Sequence, residues 1–127
     1  MKPVIGLRAI TFLALAFFLA CSSISVLFAA ELVMIEQQHC PWCEAWNEEI
    51  GGIYDKTTEG KLAPLRRIDV HGVLPADLAD MEMTVFTPTF VLRENGSEIA
   101  RLRGYPGDEF FWYLLGEMLD KLPNSAK

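Results

Sequence analysis

Apolar and polar positions along this chain change rhythm several times, and each change marks an element. Leu32-Val33-Met34-Ile35 is a short unbroken apolar run rich in β-formers, which reads as a buried strand. Pro41 then stands where a first helical residue belongs, with Cys40 before it as the N-cap. Behind it Cys43, Trp46, Ile50 and Ile53 recur at helical spacing, so one face of that helix is expected to be buried. Gly51-Gly52 weakens its second half by about 1 kcal/mol per glycine relative to alanine. Leu65 to Val70 reads as a second strand, and Leu74 to Met83 as a short helix after Pro75. Thr84 to Phe86 leads through Thr87-Pro88-Thr89 into a third strand at Phe90-Val91-Leu92. Asn95-Gly96 is a strong hairpin signal, because both residues tolerate the positive φ of a two-residue turn. The returning strand carries Ile99 and Leu102 and stops at Gly104. A last helix follows Pro106-Gly107, with Asp108 and Glu109 in its first turn to complement the dipole. Phe111, Leu114, Leu115, Met118, Leu119 and Leu122 form its apolar stripe. The order β-α-β-α-β-β-α predicts an α/β domain, a sheet with helices packed on its faces.

Ahead of these elements lies a segment of another kind. From Ile10 to Ala30 no charged residue occurs, and Lys2 and Arg8 precede the run. A positive start, an apolar core and small residues toward Ala29-Ala30 are the features of an export signal. Three readings of residues 1–30 stand open: a cleaved signal peptide, an uncleaved membrane anchor, or a lipoprotein signal at Cys21. All three put residues 31–127 outside the cytoplasm, and in a bacterium that means the periplasm, where disulfides persist.

The 127 residues suffice for one compact domain. Setting aside Lys2 and Arg8, the domain keeps 9 of the 11 basic residues and all 17 acidic ones, a net charge of −8. That balance argues against nucleic-acid binding, which needs cations to neutralise phosphates. It argues equally against docking on anionic lipid. Of the 3 cysteines only Cys40 and Cys43 fall within the domain.

Those two, three positions apart at a strand-to-helix junction, carry the clearest chemistry. Unpaired N–H groups and the positive dipole end of a helix stabilise a thiolate at Cys40. Cys43, one turn further in and expected to be more buried, is placed to resolve a mixed disulfide formed at Cys40. A zinc site built from Cys40, Cys43, His39 and His71 is a poor alternative, because adjacent His39 and Cys40 share a metal awkwardly and no second Cys-x-x-Cys occurs. A stapling disulfide would close almost no loop and add little stability.

Strand, Cys40-Pro41-Trp42-Cys43, helix, Thr87-Pro88-Thr89, a hairpin with Asn95-Gly96 and a closing helix together resemble the thioredoxin family over residues 31–127. The runs 39–43, 63–69 and 104–107 are similar more narrowly to small exported bacterial thioredoxins, some of which accompany sulfur-oxidation genes. The resemblance implies a central mixed sheet flanked by helices and a cis bond before Pro88, facing the cysteine pair. From the residues alone, a trans proline opening an edge strand fits as well. It implies that Thr87 and Pro88 bind an extended substrate; Trp42 is expected on the surface beside the thiols as a docking contact, or else packed over the helix start. Pro41 is then a modulator of Cys40, and His39 either favours the Cys40 thiolate when protonated or simply sits at the rim. The chain departs from the family in Pro-Trp between the cysteines, and in Met34 where many members carry a buried acid. Glu36 is either a proton-transfer group or an exposed strand-end carboxylate; His71, Arg66-Arg67 and Glu48-Glu49 read as solvated.

The function implied is a periplasmic thiol–disulfide oxidoreductase, a reductant of protein disulfides without a bound cofactor or metal, recharged by a membrane thiol transporter and expected to be monomeric. A non-catalytic binding or chaperone module, and a protein delivering metal through Cys40 and Cys43, are the alternatives from other classes.

Overall fold

The computed structural model describes residues 30–123. The export segment with Lys2, Arg8 and Cys21 lies outside the described residues. Strand β1 is Glu31–Glu36, followed by helix α1, Pro41–Trp46, which runs on as a π-helical turn at Asn47–Gly51. A 3-10 turn at Tyr54–Lys56 leads to a short helix α2, Thr58–Leu62, and to strand β2, Leu65–Asp69. A second 3-10 turn, Ala76–Leu78, precedes strands β3, Thr89–Glu94, and β4, Ser97–Arg103, and helix α3, Asp108–Leu119, closes the fold.

The sheet is mixed, with strand order β2-β1-β3-β4. β1 pairs parallel with β2 (Ile35 beside Ile68) and antiparallel with β3 (Val33 beside Val91). β3 and β4 form the hairpin, in which Asn95 at φ 52° and Gly96 at φ 78° make the turn that pairs Glu94 with Ser97. The alternation of β1 and β3 divides the interior into two cores. Leu32, Met34, Phe90 and Leu92 face α1 and α3, whereas Val33, Ile35, Ile68 and Val91 face the segment after β2. The first core is aromatic: Trp46 lies 5.5 Å from Phe90 and 5.8 Å from Phe111, and Tyr54 stacks on Trp112 at 6.1 Å. Met34 is fully buried in it. No helix of the described residues is long and apolar enough to cross a membrane.

Three expectations are corrected and one element is added. Ile53 does not continue the buried face of the first helix; it is 49% exposed, and Tyr54 is buried in its place. The cause is the π-helical turn, whose wider winding moves the inward position one residue along. The expected helix over Leu74–Met83 is only the 3-10 turn, though Leu78 and Met81 are buried. Its polar groups are drawn to arginines of the sheet instead of to helical partners. Asp77 pairs with Arg66 at 2.5 Å, Asp80 with Arg93 at 3.0 Å, and the Glu82 carbonyl accepts from Arg101 at 2.9 Å. Helix α2 was not anticipated; Thr57 caps it by accepting from the Gly60 N–H at 3.0 Å. Leu114 in the α3 stripe is only half-buried, whereas Phe111, Leu115, Met118 and Leu119 are buried.

The sheet arginines set an acid limit on stability. Hydrogen bonding from Arg101 holds the Glu98 carboxyl below its ordinary value, and Arg66 does the same for Asp77. A depressed folded-state pKa contributes stability above the ordinary carboxylate range, and that contribution is lost as pH falls through it. Glu98→Gln should therefore cost less than about 1 kcal/mol at neutral pH and almost nothing near about pH 3. Urea midpoints of parent and variant at the two pH values check this; an equal gap at both would show that the ion pair is not its source.

Candidate active site

At the end of β1 the chain turns through Gln37-Gln38, and His39 takes a left-handed conformation at φ 58°. That residue swings Cys40 to the head of α1 as its N-cap, with extended backbone, and Pro41 begins the helix. The caps then close in register: the Glu44 N–H donates to the Cys40 carbonyl at 3.0 Å, and the Cys43 N–H donates to Cys40 Sγ at 3.1 Å. Cys40 and Cys43 are joined by a disulfide, their Cα atoms 5.2 Å apart. The expected contrast in burial between them is absent, for Cys40 is 4% exposed and Cys43 3%. The covering group over Cys40 comes from far along the chain.

That group is Thr87, whose hydroxyl donates to Cys40 Sγ at 3.3 Å. The Thr87–Pro88 peptide bond is cis, and the Pro88 carbonyl accepts from the Gly104 N–H at 2.7 Å. Upstream, the Thr89 hydroxyl donates to the Phe86 carbonyl at 2.6 Å, and the Phe86 N–H donates to Thr84 Oγ1 at 3.1 Å. These bonds fix the loop while leaving Phe86 63% exposed; Trp42, between the cysteines, is exposed to the same degree. The loop thus brings Thr87 to Cys40, with Pro88 next to Thr87 in sequence; Pro41, Trp42 and His39, adjacent to the cysteines in sequence, are exposed.

Beneath the site, Glu36 ends β1, as the strand-end reading has it, and Arg66 and Arg67 remain partly exposed while pairing with carboxylates. Arg67 donates to Glu36 at 2.8 and 2.7 Å and to Asn47 Oδ1 at 2.5 Å, and its guanidinium lies 5.7 Å from the Trp46 ring centre. One cation therefore ties β2 to the end of β1 and to the start of the π-helical turn behind Cys43. The strand alternation of Leu65, Arg67 and Asp69 was the signal for it, since it puts Arg67 on the same sheet face as Leu65, against the aromatic core. Glu49 likewise is not simply solvated. It accepts a hydrogen bond from Tyr105, whose hydroxyl is held well above its ordinary pKa by burial and by this bond. His71 is exposed in its loop, 3.3 Å from Gln37. Among the described residues no three His, Cys, Asp or Glu side chains converge as metal ligands would.

No family model matches the chain, and no curated protein matches it. Solved structures do. The periplasmic thioredoxin SoxS from Paracoccus pantotrophus, in its reduced form, is 40% identical, with a TM-score of 0.67, over 72% of this chain and 97% of that one. A thioredoxin from Thermus thermophilus is 23% identical with a TM-score of 0.54, covering 86% of this chain and 82% of that one. The thioredoxin Mala s 13 of Malassezia sympodialis is 19% identical with a TM-score of 0.52, covering 72% and 76%. The last two carry the fold alone.

Proposed function

The chain belongs to the thioredoxin family, and from that premise we propose that it is an exported thiol–disulfide oxidoreductase that reduces protein disulfides. The observation that supports this best is the convergence on Cys40 Sγ of the Cys43 N–H and the Thr87 hydroxyl. Both donors favour a thiolate once the disulfide is opened, and a thiolate is the attacking species in exchange. In the reaction, reduced Cys40 attacks one sulfur of the substrate disulfide. A mixed disulfide forms and the other substrate sulfur leaves as a thiolate. Cys43 then attacks Cys40 Sγ, releasing the second substrate thiolate and closing the Cys40–Cys43 disulfide. Two electrons have passed to the substrate, and a dithiol donor must restore them. No bound cofactor enters this sequence.

Trp42, Thr87 and Pro88 form the substrate-facing rim in this reading, with Pro41 and His39 modulating Cys40. The periplasm is the proposed compartment, supported by the apolar segment 10–30 and by similarity to a periplasmic thioredoxin. There a membrane thiol transporter is the fitting electron donor.

Equilibration with glutathione tests the direction of transfer. A reductant should hold a Cys40–Cys43 potential more negative than about −180 mV, toward the range of cytosolic thioredoxins. A value near −120 mV, as in strongly oxidising exported proteins, would make the protein an oxidant instead.

A further inference from the structure

Three hydrogen bonds close a ring of chain that passes through Cys40. The Thr87 hydroxyl donates to Cys40 Sγ at 3.3 Å, the Gly104 N–H to the Pro88 carbonyl at 2.7 Å, and the Tyr105 hydroxyl to Glu49 Oε2. The remaining links are backbone. Thr87 joins Pro88, Gly104 joins Tyr105, and Glu49 lies on the π-helical turn that continues the helix headed by Cys40. The Asn47 N–H, bonded to the Cys43 and Glu44 carbonyls, makes that turn one piece with the helix. The loop at Thr87-Pro88 is thus clasped to the cysteine helix at the sulfur and again through Gly104 and Tyr105. Tyr105 is firmly seated: it is buried, with its ring 6.0 Å from Phe111, which in turn lies 5.8 Å from Trp46 of the cysteine helix. Burial, the bond to Glu49 and the charges of Glu49 and Asp108 hold its hydroxyl well above the ordinary pKa, so it remains a donor wherever a thiol titrates. Glu49 is exposed, and water would solvate its carboxylate without this bond.

We propose that Tyr105 and Glu49 are positioning residues that hold the Thr87 hydroxyl on Cys40 and so keep the attacking sulfur a thiolate. The inference rests on the oxidoreductase reading above and adds to it the device that tunes the nucleophile. A hydrogen bond donated to the charged form of a thiol lowers its pKa, and it does so only while the donor stays within reach. The pairing of β1 with β3 ends at Ile35 and Thr89, so Thr87 lies two residues beyond the sheet. There the clasp through Gly104 and Tyr105 takes over from the strand ladder. With that clasp open, only the bond to sulfur itself holds the loop to the helix, and the Thr87 hydroxyl drifts from Cys40.

The test follows the rate at which iodoacetamide labels Cys40 as pH is varied, read by mass spectrometry of the peptide that carries it. The reduced full-length chain with Cys43→Ser is the parent, so that no second thiol of the pair titrates with Cys40. Thr87→Val removes the donor and should raise the midpoint by about one pH unit. Tyr105→Phe keeps the ring and should raise it by about half a unit. Added to Thr87→Val, Tyr105→Phe should change nothing, because the donor it positions is already gone. A general loosening of the fold would add to Thr87→Val instead. Glu49→Ala, at an exposed position that the fold tolerates, should match Tyr105→Phe. Glu49→Gln removes the same charge but keeps an acceptor, and should stay within about 0.2 unit of the parent. Parental midpoints in Tyr105→Phe and Glu49→Ala would overturn the proposal, as would a Tyr105→Phe shift undiminished in Thr87→Val. If the midpoints shift as expected but the chain with Cys43 intact fails to reduce a cystine peptide, the oxidoreductase reading falls and the clasp stands.

Discussion

Replacing Cys43 with serine should turn the protein into a trap that accumulates one mixed disulfide per chain. Cys40 keeps both of its hydrogen-bond donors, because the backbone N–H of residue 43 and the Thr87 hydroxyl are untouched by the change. The attacking step is therefore retained. A serine hydroxyl cannot displace the bound substrate thiol, so the second step stops. Cys40→Ser removes the nucleophile itself, and turnover should fall at least about a thousandfold, as for other lost nucleophiles. Non-reducing mass spectrometry after exposure to a cystine peptide reads both outcomes directly. Turnover by Cys40→Ser, or release of the Cys40-bound substrate thiol by Cys43→Ser, would reverse the assignment of the two sulfurs.

The largest expected effect on stability falls at Gly60, far from the cysteines. A Cβ at this position would lie 2.0 Å from the Tyr54 carbonyl oxygen and 2.7 Å from its carbon. Both are backbone atoms, so no side chain can rotate out of the way. The only relief is to separate α2 from the 3-10 turn at Tyr54–Lys56. That movement pulls Tyr54 from its stack on Trp112 and from its hydrogen bond to the Ala63 carbonyl at 2.8 Å. Gly60→Ala should cost about 3 kcal/mol or more, the upper range for overpacking, and lower the melting temperature by roughly 15 °C. Gly116 supplies the contrast. It lies inside α3 with nothing within 4 Å of its would-be Cβ, so Gly116→Ala should stabilise by about 0.5–1 kcal/mol through helix propensity. Thermal melts of both variants decide the matter; a Gly60→Ala protein as stable as the parent would mean that the helix and turn are not held in contact.

Much of this architecture was legible from local signals. The apolar run at Leu32–Ile35, the Asn95-Gly96 turn and the Cys40-Pro41 helix start each rest on chemistry confined to a few residues, and each stands where expected. The errors cluster where tertiary partners overrule local preference. Asp77, Asp80 and the Glu82 carbonyl satisfy sheet arginines in place of a helical ladder, and no pattern within residues 74–83 announces arginines at 66, 93 and 101. The π-helical turn is hidden for a similar reason, since Ile53 and Tyr54 are both apolar enough to take the inward place. In the site, the cysteine pair was plain from its spacing, but the hydroxyl of Thr87 on Cys40 joins residues 47 positions apart. Only the family resemblance pointed to that neighbourhood. Tyr105 with Glu49, and Arg67 over Trp46, escaped altogether: each is a charged or polar group whose partner lies on another element.

The unequal filling of the two sides of the sheet carries a consequence for how the molecule breathes. On one side Trp46, Tyr54, Phe90 and Phe111 interlock beneath two helices. On the other, a thin aliphatic layer is covered by a single 3-10 turn and held by Arg66, Arg93 and Arg101. Opening free energy follows buried apolar contact, and segments with little of it detach as cooperative units of their own. Residues 70–83 are expected to form such a unit, able to lift while the aromatic side and the cysteine helix stay closed. Amides there should exchange through partial opening and those of β1 and β3 only through global unfolding, which hydrogen-exchange protection checks. The unit ends at the hydrogen-bonded loop Thr84–Thr89, so a partner loosening this side of the sheet leaves Thr87 on Cys40.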